Sequence, residues 1–351
     1  METITKLEGY PKSVPFDSTD FPNEHKPTVL FAGIYAPTFD SGFMVKGFEK
    51  AGYNVVTIDW QKVKLTEQVF GLRERLIVSA MMHQPDFIFL HIQSEAILDK
   101  PTVEKLQSIA PTVLYNFDCR SFEKTQWIYD LAPYLELVLF SNLEDVKRCE
   151  LLGINNTAVM SSSADYEHYR KGNISVEQKE KYPHDIVFIG NRFDNTNMGF
   201  DNAAERIKMV EFLSSWYGDR FFAYGMGFSR LVNQQEEVLI YNSAKIAITQ
   251  NNFVRTNYCS DRIYRAMGCG IMAVQQYYPG INKDFIPQVT STWLNFDMLK
   301  DEINKHLEDE TLRYAKAKAG AEYVRENHSW YNRVLQLQEL LKLQQTKKAA
   351  L

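Results

Sequence analysis

From Pro27 onward, short apolar runs of strand length alternate with longer stretches whose apolar residues recur at helical spacing. This alternation is the pattern of βαβ units and a parallel sheet. In the first half it predicts strands over Thr28–Ile34, Asn54–Ile58, Asp86–Ile92, Thr112–Asn116, Leu135–Phe140 and Thr157–Ser161, with helices starting near Asp40, Thr66, Lys100, Phe122 and Leu143. A polar interval from Asp165 to Tyr182 interrupts the pattern. It restarts with strands His184–Ile189, Arg220–Tyr224, Lys245–Thr249 and Ile271–Gln275 and helices from Ala203, Glu236, Asp261, Asp297 and Glu308. The expected organisation is an N-terminal arm (1–26), two Rossmann-like domains (27–170 and 171–328) and a C-terminal helix (329–351) that crosses back to the first domain. In such sheets ligands sit beyond the carboxyl ends of the strands, which places a site in the cleft between the domains.

Composition narrows the function classes. The chain has 351 residues, 45% hydrophobic and 24% charged, an ordinary globular mixture that excludes disordered and fibrous classes. Its longest apolar runs, such as Phe87 to Ile92, are far short of the roughly 20 residues of a membrane helix. The N-terminus lacks the basic-then-apolar order of a signal peptide, so a cytoplasmic location is expected, in a host cell if the chain is phage-encoded. Four scattered cysteines argue against a disulfide framework or a CxxC zinc site. The net charge of −5 divides unevenly: residues 1–170 carry 16 basic and 23 acidic side chains, the remainder 23 and 21. Broad electrostatic binding of nucleic acid is therefore disfavoured.

The densest candidate chemistry is SDRIYRAMGCG, Ser260 to Gly270. A helix beginning at Ser260 or Asp261 directs free N–H groups and the positive end of its dipole into the cleft, where a diphosphate can bind. Arg262 in its first turn can grip two phosphate oxygens, and Arg265 lies on the same face; the competing reading is an amphipathic helix with solvent-facing arginines. Gly190, at the end of the strand in DIVFIGNRF, permits close backbone approach, and Arg192 and Arg206 add positive charge nearby. In the first domain, Asp118 of YNFDCR follows the fourth strand and is placed to remove a proton from an acceptor hydroxyl, with Arg120 beside it to hold the charge or bind substrate. Its competing role is a helix N-cap. His91, followed by Glu95, is a second candidate base or substrate ligand, its competing reading being a satisfied structural histidine at a strand end, and Gly33 lets the first loop approach the cleft. GxGxxG, Walker, HExxH and Asp-rich metal motifs are missing, so a dinucleotide dehydrogenase is disfavoured and no metal ligand set is visible, although magnesium could assist a departing diphosphate.

Periodicity alone leaves open a GT-B glycosyltransferase, a periplasmic-type binding protein or a two-domain dehydrogenase. The order of elements, with FDCR, LVLFSNLEDV, GNRF, YNSAKIAITQ, SDRIYRAMGCG and HSWYNRV, resembles the GT-B glycosyltransferases of the family-1-like, CgeB-like kind of bacteria and phages. A closer similarity is to the T-even phage DNA β-glucosyltransferases, which act on hydroxymethylcytosine. Their catalytic Asp-x-Arg is matched by Asp118-Cys119-Arg120, their phosphate-binding arginine by Arg262, and their KMVEFL stretch by Lys208 to Leu213. The departure is Arg265, where most such enzymes have a ribose-binding glutamate; an arginine cannot accept those hydrogen bonds.

The resemblance implies an inverting transfer from a nucleotide sugar, UDP-linked by expectation, with Asp118 as general base. Gly190, Arg192, Arg206, Ser260, Asp261, Arg262 and Arg265 would surround the donor, and Gly33, His91 and Arg120 the acceptor. The lead acceptor is a hydroxymethylpyrimidine in phage DNA, flipped from its duplex. A cell-surface glycan or small molecule is the alternative, and a non-catalytic nucleotide-sugar-binding module the alternative of another class. A periplasmic solute-binding protein is disfavoured.

Overall fold

A computed structural model describes residues 26–36, 39–193 and 200–349; the arm expected over 1–26 lies, but for Lys26, outside them. The first domain is a parallel sheet of β1 (Thr28–Gly33), β4 (Asn54–Asp59), β5 (Phe87–Leu90), β6 (Thr112–Asn116), β7 (Leu137–Phe140) and β8 (Thr157–Val159), in the order β4-β1-β5-β6-β7-β8. Between β1 and β4 a short hairpin, β2 (Tyr35–Ala36) with β3 (Phe39–Asp40), precedes the first helix. Every residue of β1 is buried because both sheet faces are covered. Leu30 and Ala32 face one side, with Leu72, Leu76, Val103 and Leu106. Val29 and Phe31 alternate to the other, with Met44, Phe48 and residues far along the chain, Trp330, Val334 and Leu337.

The second sheet contains β9 (Ile186–Ile189), β10 (Phe221–Tyr224), β11 (Ile246–Thr249), β12 (Met272–Gln276) and β13 (Ser291–Trp293), all parallel, in the order β10-β9-β11-β12-β13. Val187 and Ile189 pack against Ile263, Tyr264 and Met267. Ile186 and Phe188 pack on Met209, Leu213, Leu299 and Ile303. In each domain the chain adds its second strand on one side of the first and its third on the other. The switch points therefore fall between β1 and β5 and between β9 and β11, where an open α/β sheet leaves a crevice at the strands' carboxyl ends.

The helix Trp330–Ala349 returns to the first domain and lies on the helix Gly42–Lys50 side of its sheet. Arg333, almost fully buried, pins the return by donating to the carbonyls of Ser161 (2.9 Å) and Ser162 (3.1 Å). The two doubly wound domains expected from the pattern are present, in the GT-B arrangement that the resemblance implied. Differences are local. The helix Trp60–His83 begins earlier than Thr66 and is kinked at Gln68 (φ 59°), while β13 and the helices Val176–Lys181 and Ile281–Asp284 were not anticipated.

Candidate functional site

Asp118 follows β6 in a tight segment closed by Asn116, whose side chain donates to the Asp118 carbonyl (2.9 Å) and accepts from its N–H (3.3 Å). Ser121, not Asp118, occupies the N-cap position of the helix Phe122–Leu131. The Asp118 carboxylate instead accepts from Arg120 Nε (3.1 Å) and a terminal nitrogen (2.9 Å). Burial raises its pKa above the ordinary carboxylate range; Arg120 opposes this, and the charge of Asp261 across the cleft adds to it. The result is a stronger base than a free carboxylate, held ready by one guanidinium.

Three cavities meet at this residue. An interdomain cavity of about 400 Å³ is lined by Asp118, Gly190, Gly225, Glu237, Asp261 and Arg262, among others. On the first-domain side, Asp118 and Arg120 share with Gln93 and Ser94 the walls of two more, about 570 and 340 Å³. All three fall in the range of ligand sites. Gln93 reaches them from the switch point after β5. Its amide nitrogen donates to the Tyr115 carbonyl (2.8 Å), which leaves its buried Oε1 without a partner among the described residues.

The second domain's side is shaped by glycine. At Gly190 an added Cβ would lie 3.3 Å from Arg262 Nε and 2.8 Å from the Phe188 ring; at Gly225 (φ +132°) it would lie 2.2 Å from the Gly190 carbonyl oxygen. Two strand ends are thus bared to their backbones below Arg262. The helix Asp261–Gly268 points its N-terminus into this cavity. Ser260 is its N-cap residue without a side-chain cap bond; its N–H is taken by Asn251 Oδ1 (3.0 Å), and its hydroxyl accepts from Arg262 (2.7 Å). Arg262 keeps its remaining donors for the cavity.

Other residues expected here have different surroundings. Arg265 is clasped by both oxygens of Glu237 (3.0 and 3.2 Å) and by Asp261. Burial opposes its charge, but the two carboxylates hold it firmly protonated. Its guanidinium lines the cavity already neutralised, and Glu237, which also accepts from Tyr169 (2.7 Å), is the carboxylate that reading along the chain missed. Arg206 is only 1% exposed and donates to the Asn191 carbonyl (3.0 Å), Gln250 and Asn252. It organises the ends of β9 and β11 from beneath the cavity, a correction to its expected place at the diphosphate. Arg192 donates its N–H to the Met226 carbonyl (2.8 Å) and does not line the cavity.

His91 is a second correction. It is completely buried, 3.1 Å from Ser41 Oγ, with its ring stacked near Tyr115 and tilted against Phe117, and burial lowers its pKa to about 3. A neutral imidazole sealed in the core supports the loop after β1 and lines none of the three cavities around Asp118. Gly33 is packed below that same loop, where a Cβ would meet Phe31 and Ser41. Gly225 was missed although GMG directly after a strand is a readable signal. Among the described residues, no group of three or more His, Cys, Asp or Glu side chains is arranged to hold a metal ion, and no helix is long and apolar enough to cross a membrane.

Residues 204–339 match the model of a family described as glycosyl transferase-like. No curated protein matches the chain. Among solved structures, it is similar to sucrose-phosphate synthase from Thermosynechococcus elongatus (12% identity, TM-score 0.62, covering 90% of this chain and 98% of that one). It is also similar to a glycosyltransferase from Rickettsia africae (12%, 0.61, 92% and 99%) and to HepE from Anabaena in complex with UDP-glucose (13%, 0.59, 92% and 100%). The GT-B fold and the glycosyltransferase class expected from the sequence are met by the architecture and by this family domain.

Proposed function

We propose that the protein transfers a sugar from a UDP-linked donor to an acceptor hydroxyl with inversion at the anomeric carbon, using Asp118 as general base. The observation that carries the reading is that Asp118 borders both the interdomain cavity holding Arg262 and the two first-domain cavities. One carboxylate is thereby in reach of donor and acceptor together. The acceptor oxygen bonds to the anomeric carbon as its proton passes to Asp118, and the bond from that carbon to the diphosphate breaks. The transition state has oxocarbenium character. Charge that builds on the departing diphosphate is met by Arg262 and the N-terminus of the helix Asp261–Gly268. The bound UDP-glucose of HepE supports a UDP donor by likeness of fold.

The proposed acceptor is a hydroxymethylpyrimidine in duplex DNA, supported by the Asp118-Cys119-Arg120 and KMVEFL similarities. A saccharide is the second reading, favoured by the buried, unpartnered Gln93 oxygen beside Asp118, which suits a hydroxyl neighbouring the reacting one. The test incubates the protein with UDP-sugars and either duplexes carrying hydroxymethylcytosine or hydroxymethyluracil, or a saccharide panel, and follows mass addition and anomeric configuration. Asp118→Asn is expected to lower turnover by about 10²- to 10⁴-fold with little change in UDP affinity. Equal turnover by the variant refutes the general-base assignment; UDP binding without transfer to any acceptor favours a binding module.

A further inference from the structure

We infer that Glu144 is a positioning residue for this transfer, fixing through the 251–260 loop the span between Asp118 and Arg262. The inference rests on the reading just given for those two residues.

The helix Leu143–Leu151 belongs to the first domain and is capped by Asn142, whose side chain accepts from the Asp145 N–H at 2.9 Å. Its first N–H, on Leu143, is one of those a helix leaves without an internal partner. It donates instead to the carbonyl of Thr256 (3.0 Å), in the loop between β11 and the Arg262 helix. The adjacent Glu144 carboxylate accepts from the Thr256 N–H (3.0 Å) and hydroxyl (3.1 Å). Both backbone groups of Thr256 therefore end on a single turn of the opposite domain. Arg255 lies 3.5 Å from the other Glu144 oxygen and pairs with Asp201 of its own domain.

The contacts continue without a gap to each reactive group. Beneath Thr256, Phe253 and Tyr258 pack on Cys119, the residue after Asp118. Cys119 Sγ is 3.2 Å from Ser141 Oγ and 3.1 Å from Asn142 Nδ2, so the capped helix end and the Asp118 segment move together. On the other side, Asn251 bonds the Tyr258 carbonyl (2.8 Å) and the Ser260 N–H (3.0 Å), at the entry to the Arg262 helix. Asn257, in the left-handed region at φ 60°, turns the loop and donates to the Pro279 carbonyl (2.8 Å). Glu144 and Arg255 are 46% and 25% exposed, so their attraction is solvent-screened and the clasp can release with product.

A shift of about 1 Å between a base and its reacting centre costs on the order of 10²-fold in rate. Glu144→Ala is therefore expected to lower kcat about 10- to 100-fold while the donor Kd, whose proposed ligands Gly190, Gly225 and Arg262 all lie in the second domain, and the melting temperature stay unchanged. Glu144→Gln keeps an oxygen that accepts from Thr256 and is expected to return kcat to within about threefold of the parent. Unchanged kcat in Glu144→Ala overturns the inference, as does an equal loss in both variants that follows melting temperature. A second measurement needs no turnover. All four native cysteines are buried, so spin labels at Leu151→Cys and Trp216→Cys, both exposed positions, report the interdomain distance alone. The distribution is expected to broaden in Glu144→Ala and narrow again in Glu144→Gln. No broadening overturns the clasp even if no acceptor is ever found, whereas broadening in a protein without transferase activity refutes the proposed function and leaves the clasp standing.

Discussion

Replacing Arg262 tests the stabilisation of the leaving group that the proposed function assigns to it. The guanidinium has five N–H donors; one terminal nitrogen donates to Ser260 Oγ, and the rest of the fork lines the interdomain cavity next to Gly190. Lysine keeps the charge but presents a point donor, so Arg262→Lys loses at least one charge-assisted hydrogen bond to a diphosphate oxygen, about 1.5–3 kcal/mol, or roughly 10- to 150-fold. Arg262→Met loses the charge as well and is expected to fall further. Because negative charge grows on the diphosphate as the glycosidic bond breaks, the loss belongs mainly to kcat rather than to donor KM. Initial-rate kinetics over a range of UDP-sugar, with UDP affinity measured separately by calorimetry, separate the two. A rise in donor KM with kcat unchanged would mean that Arg262 binds ground and transition states alike. Parental kinetics in both variants would remove it from the site.

Arg120 holds down the Asp118 pKa that burial raises, so Arg120→Ala should move the acidic limb of the kcat/KM profile to higher pH; an unmoved limb means that another group controls it. His91 stays neutral in the fold down to about pH 3, while in the unfolded chain it takes up a proton near 6.5. Its folded pKa is the lower one, so stability falls as pH drops from about 6.5 towards 3, by about 1.4 kcal/mol per pH unit from this group. His91→Gln should flatten that part of a urea-denaturation series, and an identical slope refutes the assignment. At Gly190→Ala the new methyl meets Phe188 and Arg262; a cost of about 1–3 kcal/mol and weaker UDP binding are expected, against no change if the strand end can shift.

Legibility along the chain followed the range of the interactions. The buried runs VLFAG, FIFL and IVFI are apolar on both faces, so their strands show in the pattern. Asp118, Gly190 and Arg262, which line one cavity, are legible as candidates because each lies within two residues of a strand end or helix start. β13 is three residues, Ser291–Trp293, without an apolar run, and its strand exists only by pairing with β12. The pairing of Arg265 with Glu237, 28 positions earlier on another helix, has no trace in the local pattern. The sequence leaves His91 between a catalytic and a structural reading because nothing near it shows that Ser41, Tyr115 and Phe117 enclose it. Glu144 and Thr256 are 112 positions apart, and no local pattern links them.

The returning C-terminal helix has a consequence for synthesis. Trp330, Val334 and Leu337 complete the face of the first sheet that carries Phe31, Phe89 and Tyr115, yet about 170 residues separate Val159, the end of that sheet, from Trp330. At about 5–20 residues per second a ribosome takes roughly 10 to 35 s to make them. For that interval the first domain stands with an aromatic wall unsealed while the second domain, whose strands all lie in the intervening stretch, can already close. The domain made first is thus the one finished last, and this nascent aromatic face is where a chaperone would be needed.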